Sequence, residues 1–187
     1  MRLFGEQGYA ATSVAQIEAA AGLSPGAGGL YAHYRSKEAL LRAGLEALLT
    51  PDADLGDHEP ADHPDEPALV EELEGVVRAG LARLRHDRDY NRVLVRDLRG
   101  LPDLLEMSAD RELRPLHDRL EAYVSSPRFR LPDGATPRAV AAVLIGATAN
   151  FWLLSDVFGS YPAGVTEEEF VAALARLAAA LLTMEAS

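Results

Sequence analysis

Apolar residues recur at three- and four-residue spacing along almost the whole chain, and sustained period-2 alternation is nearly absent. This periodicity is typical of amphipathic helices and predicts an all-α fold. The chain has 187 residues, of which 48% are hydrophobic and 25% charged, as expected for a soluble globular protein with its own core. Because it has no cysteine, disulfides, zinc ribbons and thiol catalysis are excluded.

Charge is distributed unevenly along the chain. It holds 18 basic and 29 acidic residues, for a net charge of −11, whereas residues 1–50 hold four of each. The whole acidic excess therefore lies in residues 51–187. Such a balance excludes a protein that coats nucleic acid, because a coat needs the opposite sign over most of its surface. Only the neutral N-terminal part is suited to approach DNA phosphates.

Capping residues and glycines divide the N-terminal part into four predicted helices. One ends at Gly8, one begins at Thr12 or Ser13 and ends at Gly22, one runs from Ser24-Pro25 through Tyr34, and one runs over residues 37–49 after the cap Ser36. Residues 51–67 contain four prolines and seven acids, so we expect a solvated linker there.

Five further helices are predicted after the linker. They cover residues 68–86, 89–99, 103–125 with a kink at Pro115, a segment opened by Thr136-Pro137, and a segment opened by Thr166 and Glu169. The helix after Thr136 is apolar nearly all round, so it must be covered on most sides. The last two helices suit a dimer interface, with a monomeric core as the alternative.

The most informative stretch runs from Thr12 to Leu41. Two short helices joined by Ala21-Gly22-Leu23-Ser24 fit a helix-turn-helix, in which glycine permits the turn and leucine fills the angle. The second helix of such a unit presents its N-terminal residues to base edges in the DNA major groove. The segments that carry a family resemblance are Gly8-Tyr9, Thr12-Ser13-Val14, Ile17, Ala21-Gly22-Leu23-Ser24, Gly29-Leu30-Tyr31-Ala32-His33-Tyr34 and Ser36-Lys37-Glu38-Ala39-Leu40-Leu41.

This pattern resembles the TetR family of bacterial transcriptional regulators. The resemblance implies a three-helix DNA-binding head at residues 1–47 and a larger helical effector-binding and dimerisation domain at residues 48–187. It further implies a cytoplasmic homodimer that represses transcription from a palindromic double-stranded DNA operator and is released by a small hydrophobic effector. Catalytic activity, a cofactor, a bound metal and a membrane are not expected.

The DNA-binding residues follow from the same resemblance, whereas the effector-binding residues are apolar candidates for the walls of a pocket in the larger domain. The expected DNA-binding residues are Thr12, Ser13, Ser24, Pro25, Gly26, Ala27, Gly28, Tyr31, His33, Tyr34 and Lys37, with Lys37 holding a phosphate. The expected effector-binding residues are Leu104, Met107, Tyr123, Phe151 and Trp152. Core packing is the alternative for Tyr31 and Tyr34 and for each effector-binding residue.

Three departures from the family pattern stand out. Ala27-Gly28 is a two-residue insertion before the Leu-Tyr pair, which predicts a loose start to the recognition helix and modest base readout. Glu18 stands where the family usually has alanine. The chain also begins in the middle of the family's first helix, so we expect Met1 to be an internal methionine of a longer product.

Other interpretations are weaker. Gly22-Leu23-Ser24-Pro25-Gly26 fits the nucleophile elbow of a hydrolase, but a helix precedes it and Pro25 lacks the N–H that an oxyanion hole needs. His58 and His63 lie among acids that would bind a metal only weakly, and a solvated linker explains them as well. The main alternative is a helical dimeric ligand-binding or interaction module that has lost DNA binding.

Overall fold

The computed structural model describes residues 1–26, 29–49 and 66–183. In chain order its α-helices are α1 Arg2–Gln7, α2 Val14–Ala20, α3 Lys37–Leu48, α4 Glu66–His86, α5 Arg88–Arg96, α6 Pro102–Ser108, α7 Arg114–Val124, α8 Pro137–Phe158 and α9 Glu167–Leu182. Across these described ranges no strand forms, and the one isolated bridge joins Arg130 to Thr183. The predicted all-α fold is confirmed.

Local capping explains the starts of α2, α3, α8 and α9. Ser13 forms a capping box with Gln16, and Thr166 forms one with Glu169. Ser36 and Thr136 each accept a backbone N–H three residues later. These side chains satisfy donors that the first turn of a helix leaves open, so the helix starts predicted from them are confirmed.

The helix predicted from Ser24-Pro25 through Tyr34 is wrong for the residues that the structure describes. Gly26 has φ of +76°, which no helix accommodates. Residues 29–33 form turns, and the only helical element is one turn in which Leu30 O accepts the N–H groups of His33 and Tyr34. Leu23, expected to fill the angle between helices, is 43% exposed.

Two later helices are also interrupted. The helix predicted over residues 89–99 ends at Arg96, and a short 3-10 turn covers Leu98–Gly100. The helix predicted over residues 103–125 is split by a π-helical segment at Ala109–Leu113. Pro115 has no N–H to give to the carbonyl of Arg111, so the regular bonding pattern cannot pass through this point.

Several sequence predictions lie outside the described residues. They concern the insertion Ala27-Gly28, the linker up to residue 65 and the histidines His58 and His63. Glu66 and Pro67, which were assigned to the linker, already belong to α4.

The chain forms two compact units. The first comprises Met1–Asp52 and Asp87–Leu113, and the second comprises Ala53–His86 and Arg114–Ser187. The stretch Asp87–Leu113, which the division at residue 47 assigned to the second domain, thus packs with the N-terminal head.

In the first unit, α1 lies against α5. The contact is close at Gly5, where an added Cβ would lie 2.7 Å from the Cα of Asp89. Arg96 donates to the carbonyl oxygens of Phe4 (2.6 Å) and Gly5 (3.2 Å) and so covers the end of α1. The core of this unit combines both chain segments and contains Phe4, Leu41, Leu45, Leu49, Tyr90, Val93, Leu98, Leu104 and Met107.

In the second unit, α4 packs against α8 and α9, and α7 packs against α8. Three polar residues, Glu72, Tyr123 and Arg128, are hydrogen-bonded to one another beside one of its two hydrophobic cores. Glu72 on α4 receives two hydrogen bonds from the guanidinium of Arg128, at 2.6 and 3.0 Å, and one from the Tyr123 hydroxyl at 2.8 Å. Because the Arg128 side chain is only 5% exposed, this ion pair is a buried one.

The helix α8 leaves much of its apolar surface open in the single chain. By length and composition alone α8 could cross a membrane, but the core helix of a soluble protein can have the same length and composition. Of the most apolar 18 residues of α8, 22% are buried. Val143, Val157 and Phe158 are each about two-thirds exposed, at 66%, 64% and 65%. The described residues of one chain therefore do not provide the predicted cover on most sides.

Candidate nucleic-acid interface

The turn before α2 contains two expected DNA-binding residues in different settings. Thr12 is 1% exposed, and its hydroxyl lies 2.7 Å from Gly8 O and 3.1 Å from Leu3 O. Through these two hydrogen bonds the buried Thr12 side chain connects the turn before α2 to α1. Ser13 is exposed and accepts the N–H of Gln16 at 3.2 Å, which leaves its hydroxyl proton available to a phosphate.

Lys37 lies at the start of α3 and faces the same turn. Its ammonium donates to the carbonyl oxygens of Tyr9 (2.7 Å) and Thr12 (3.0 Å) and lies 4.3 Å from the centre of the Tyr9 ring. Burial, followed by the nearby Glu38 carboxylate, raises the pKa of the Tyr9 hydroxyl. Two of the three N–H donors of the Lys37 ammonium thus connect α3 to the turn between α1 and α2.

Of the remaining expected DNA-binding residues, Ala27 and Gly28 lie outside the described residues, and the others lie in what we call the reading segment, residues 24–26 and 29–34. Ser24, Pro25, Gly26 and His33 are exposed, Tyr31 is 57% exposed, and Tyr34 is half-buried. Arg35, which sequence reasoning did not select, is also exposed directly after this segment. Several of the expected side chains are therefore exposed, but they lie on turns rather than on a recognition helix.

Glu18 was noticed in the sequence only as a departure from the family pattern. Its side chain is 1% exposed, and its carboxylate accepts the N–H of Gly26 at 2.7 Å and the N–H of Leu30 at 3.2 Å. The sequence did contain a signal for this role, because Glu18 is an acid close to a glycine-rich segment whose backbone N–H groups need hydrogen-bond acceptors.

The five expected effector-binding residues are distributed over three hydrophobic cores. Leu104 and Met107 belong to the core of the first unit, Tyr123 packs on one core of the second unit, and Phe151 and Trp152 belong to the other. Phe151 stacks on Phe170 at 4.1 Å and on Tyr161 at 5.0 Å between ring centres. Burial and the hydrogen bond to Glu72 raise the pKa of the Tyr123 hydroxyl.

The first unit also contains an open cleft of about 510 Å³. Its lining is mostly charged and consists of Arg42, Asp103, Glu106, Met107, Asp110 and Arg111. Met107 is the one residue it shares with the expected effector site, and its sulfur lies 3.9 Å from the Arg42 guanidinium. A cleft of this polarity differs from the apolar pocket that the sequence predicted.

On α7, His117, Asp118 and Glu121 have ligand atoms within 4.8 Å of one another. Their spacing is ordinary for polar residues on one helix surface. His117 Nδ1 already lies 3.8 Å from a Glu121 oxygen, as an i, i+4 pair would. This group alone does not define a metal site.

The described residues form an all-helical fold whose N-terminal part has exposed polar side chains. Residues 1–43 match the family model of the bacterial regulatory proteins of the tetR family. The match covers about the first quarter of the chain, lies in the first compact unit and indicates a DNA-binding regulator of the TetR type. No curated protein matches the chain.

Proposed function

We propose that the protein represses transcription by binding a palindromic operator as a homodimer, and that a small hydrophobic effector releases it. The observation that carries the DNA-binding part is the family match over residues 1–43, which covers the exposed polar surface of the head. Ser13, Tyr31 and His33 are the side chains we assign to DNA from the expected set, and Arg35 joins them as a phosphate contact.

Burial separates these contacts from the structural residues of the head. Thr12 and Lys37 are bonded inside the unit, so we assign them to its stability rather than to phosphate. The exposed residues keep their polar groups free for bases and phosphates. Because the head has no net charge, its affinity for DNA depends on few cations and should be moderate.

The dimer is supported by open apolar stripes on the last two helices. Val143, Gly146 and Val157 lie at helical spacing on α8 with the polar Asn150 between them, and all four residues are exposed. On α9 the stripe contains Ala173, Leu177 and Ala180, with Leu177 70% exposed. Apolar surface of this extent is characteristic of association, and small residues allow close approach of a partner backbone. Two chains would join through α8 and α9 of each.

The effector is proposed from the apolar character of the second unit. Tyr123, Phe151 and Trp152 line packed cores there, so ligand entry would require these side chains to separate. An effector shifts binding only through its different affinity for the two conformations. Apolar compounds that raise the melting temperature and weaken operator binding would support this part, whereas a response to charged metabolites alone would contradict it.

The test of DNA binding is fluorescence anisotropy with DNA from the upstream intergenic region, measured at two salt concentrations. Specific binding that weakens with salt is expected, because phosphate contacts release counterions. His33→Ala should weaken operator binding, whereas His86→Ala, which removes an exposed histidine from α4, should leave it unchanged. Absence of binding in a folded, dimeric protein would favour the ligand-binding or interaction module instead.

A further inference from the structure

The buried carboxylate of Glu18 organises the reading segment. Glu18 lies on α2 and is 1% exposed, in a unit where a buried charge is unfavourable unless it is hydrogen-bonded. Each of its two oxygens accepts one backbone N–H, Oε2 from Gly26 and Oε1 from Leu30. These two donors lie on either side of residues 27–28, so one side chain fastens the segment before and after the insertion.

The bond to Leu30 has a direct consequence for secondary structure. In a continuous α-helix the N–H of Leu30 would be given to the carbonyl of Gly26. Here it is given to a carboxylate, and charge-assisted hydrogen bonds of this kind are stronger than those between neutral groups. Gly26 itself, at φ of +76°, has a backbone conformation that glycine adopts at little cost.

The same bond fixes where the one helical turn begins. Leu30 donates to Glu18, and its carbonyl then accepts the N–H groups of His33 (3.0 Å) and Tyr34 (2.8 Å). The carboxylate thus acts as a cap supplied by another helix. It determines where the exposed Tyr31 and His33 side chains lie relative to α2.

A segment rich in glycine loses much conformational freedom when it becomes ordered. We call the two hydrogen bonds from Gly26 and Leu30 to Glu18 the clamp. Because the clamp orders the reading segment before DNA binds, the entropy loss does not have to be met on binding, which favours contacts that need a defined geometry. Base contacts need such geometry, whereas attraction to phosphates along unrelated DNA does not.

We propose that Glu18 is a positioning residue that holds the reading segment as a clamped turn and thereby sets the preference of the protein for its operator over unrelated DNA. This inference rests on the operator binding proposed above. It joins two departures from the family pattern, the acid at position 18 and the insertion after Gly26, into one feature.

The test compares Glu18→Gln with Glu46→Gln in the full chain. Both changes remove one negative charge from the first unit, but Glu46 is exposed on α3 and distant from the clamp in sequence. We expect Glu18→Gln to lower the ratio of operator affinity to affinity for a scrambled duplex about tenfold, because a side-chain amide retains one acceptor oxygen of the two. Glu46→Gln should leave the ratio unchanged.

A second readout does not depend on DNA. In ¹⁵N-edited spectra, the amide protons of Gly26 and Leu30 should move upfield and exchange faster in Glu18→Gln, while the amides of α3 keep their positions. Glu18→Asp keeps the charge on a shorter side chain and should give an intermediate ratio. If Glu18→Gln fails to fold by circular dichroism, Glu18→Asp takes its place in both measurements.

The outcomes separate the two proposals. Unchanged amide signals in the variants would overturn the clamp, and changed signals with an unchanged affinity ratio would overturn its role in DNA preference. A proportional loss of both affinities would mean that Glu18 only stabilises the fold, which also overturns that role. If the wild-type chain binds no operator, the proposed function and the DNA preference fail together, while the amide signals still decide the clamp.

Discussion

At the scale of single residues, the largest difference between sequence and structure concerns polar side chains that turn inward. Thr12, Glu18 and Lys37 all lie in the stretch from Thr12 to Leu41, yet each bonds to backbone within the head. The sequence identifies them as polar, but not which carbonyl or amide each one reaches. That depends on the turns that the chain makes between the helices.

Replacing Lys37 with methionine tests its structural assignment. The change removes two hydrogen bonds from a charged donor, so we expect the first unit to lose about 2 kcal/mol of stability, measured by chemical denaturation. The salt dependence of operator binding should keep its slope. A slope reduced by about 0.9 would instead show that Lys37 neutralises a phosphate.

The buried pair of Glu72 and Arg128 predicts a second effect. Arg128→Met leaves a nearly buried carboxylate with the Tyr123 hydroxyl but without its cation, and we expect a loss of about 3–5 kcal/mol. The double variant Glu72→Leu with Arg128→Met should recover much of this loss, because no unpaired charge remains. If the double variant is no more stable than Arg128→Met, the unpaired charge of Glu72 is not the cause of the lost stability.

At the scale of elements, the capped helix starts were predictable, whereas of the helix interruptions only the one beside Pro115 was expected. Ser13, Ser36 and Thr166 have short-range signatures, since each cap bonds to an amide three residues later. The π-helical segment Ala109–Leu113 and the clamped turn after Gly26 depend on bonds that proline or a distant carboxylate redirects. Periodicity alone does not reveal such redirection.

The contact between α1 and α5 predicts the effect of a single methyl group. Gly5→Ala would place its Cβ 2.7 Å from the Cα of Asp89, so the two helices would have to separate. We expect a loss of about 1–3 kcal/mol, seen as a lower melting temperature. Gly100→Ala, for which no atom lies within 4 Å of the added Cβ, is the matched control and should change little.

The cap of α9 predicts a dependence on pH. The backbone N–H and hydroxyl of Thr166 donate to Glu169 and lower the pKa of its carboxyl below the ordinary 4.5. The stabilisation is therefore fully present above the unfolded-state pKa and is lost as pH falls through the lower folded-state value.

Between about pH 5 and pH 3, the wild type should accordingly lose more stability than Glu169→Gln. Glu168→Gln removes the neighbouring exposed acid of the same turn and should behave as the wild type does. Thermal unfolding followed by circular dichroism gives the comparison. Equal acid sensitivity of the wild type and Glu169→Gln would contradict the assignment.

At the scale of the whole molecule, the fold class was predictable from periodicity, and the TetR-type head from residues 8–41. The arrangement of the effector-binding residues was not, because packing distributes Met107, Tyr123 and Trp152 among separate cores. Apolar side chains that suit a ligand pocket also suit a core. Their partners are set by contacts far apart in the chain, which no local pattern encodes.

Association is the prediction that belongs to this scale. Leu177→Glu places a charge on the open stripe of α9, where the side chain is 70% exposed, and should convert a dimer to a monomer in sedimentation velocity. Val95→Glu changes a side chain that is 59% exposed on α5 and should leave the dimer intact. A dimer that persists in Leu177→Glu would move the interface away from this stripe.

The division of the first unit between two chain segments limits its modularity. Tyr90, Val93 and Leu98 come from after α4, yet they complete the core on which α1 and α3 rest. Recombination at a single point after α3 would therefore join only part of the first unit to a new effector-binding domain. Exchange of DNA specificity with another regulator of this kind requires two crossovers, or evolution of the exposed turns in place.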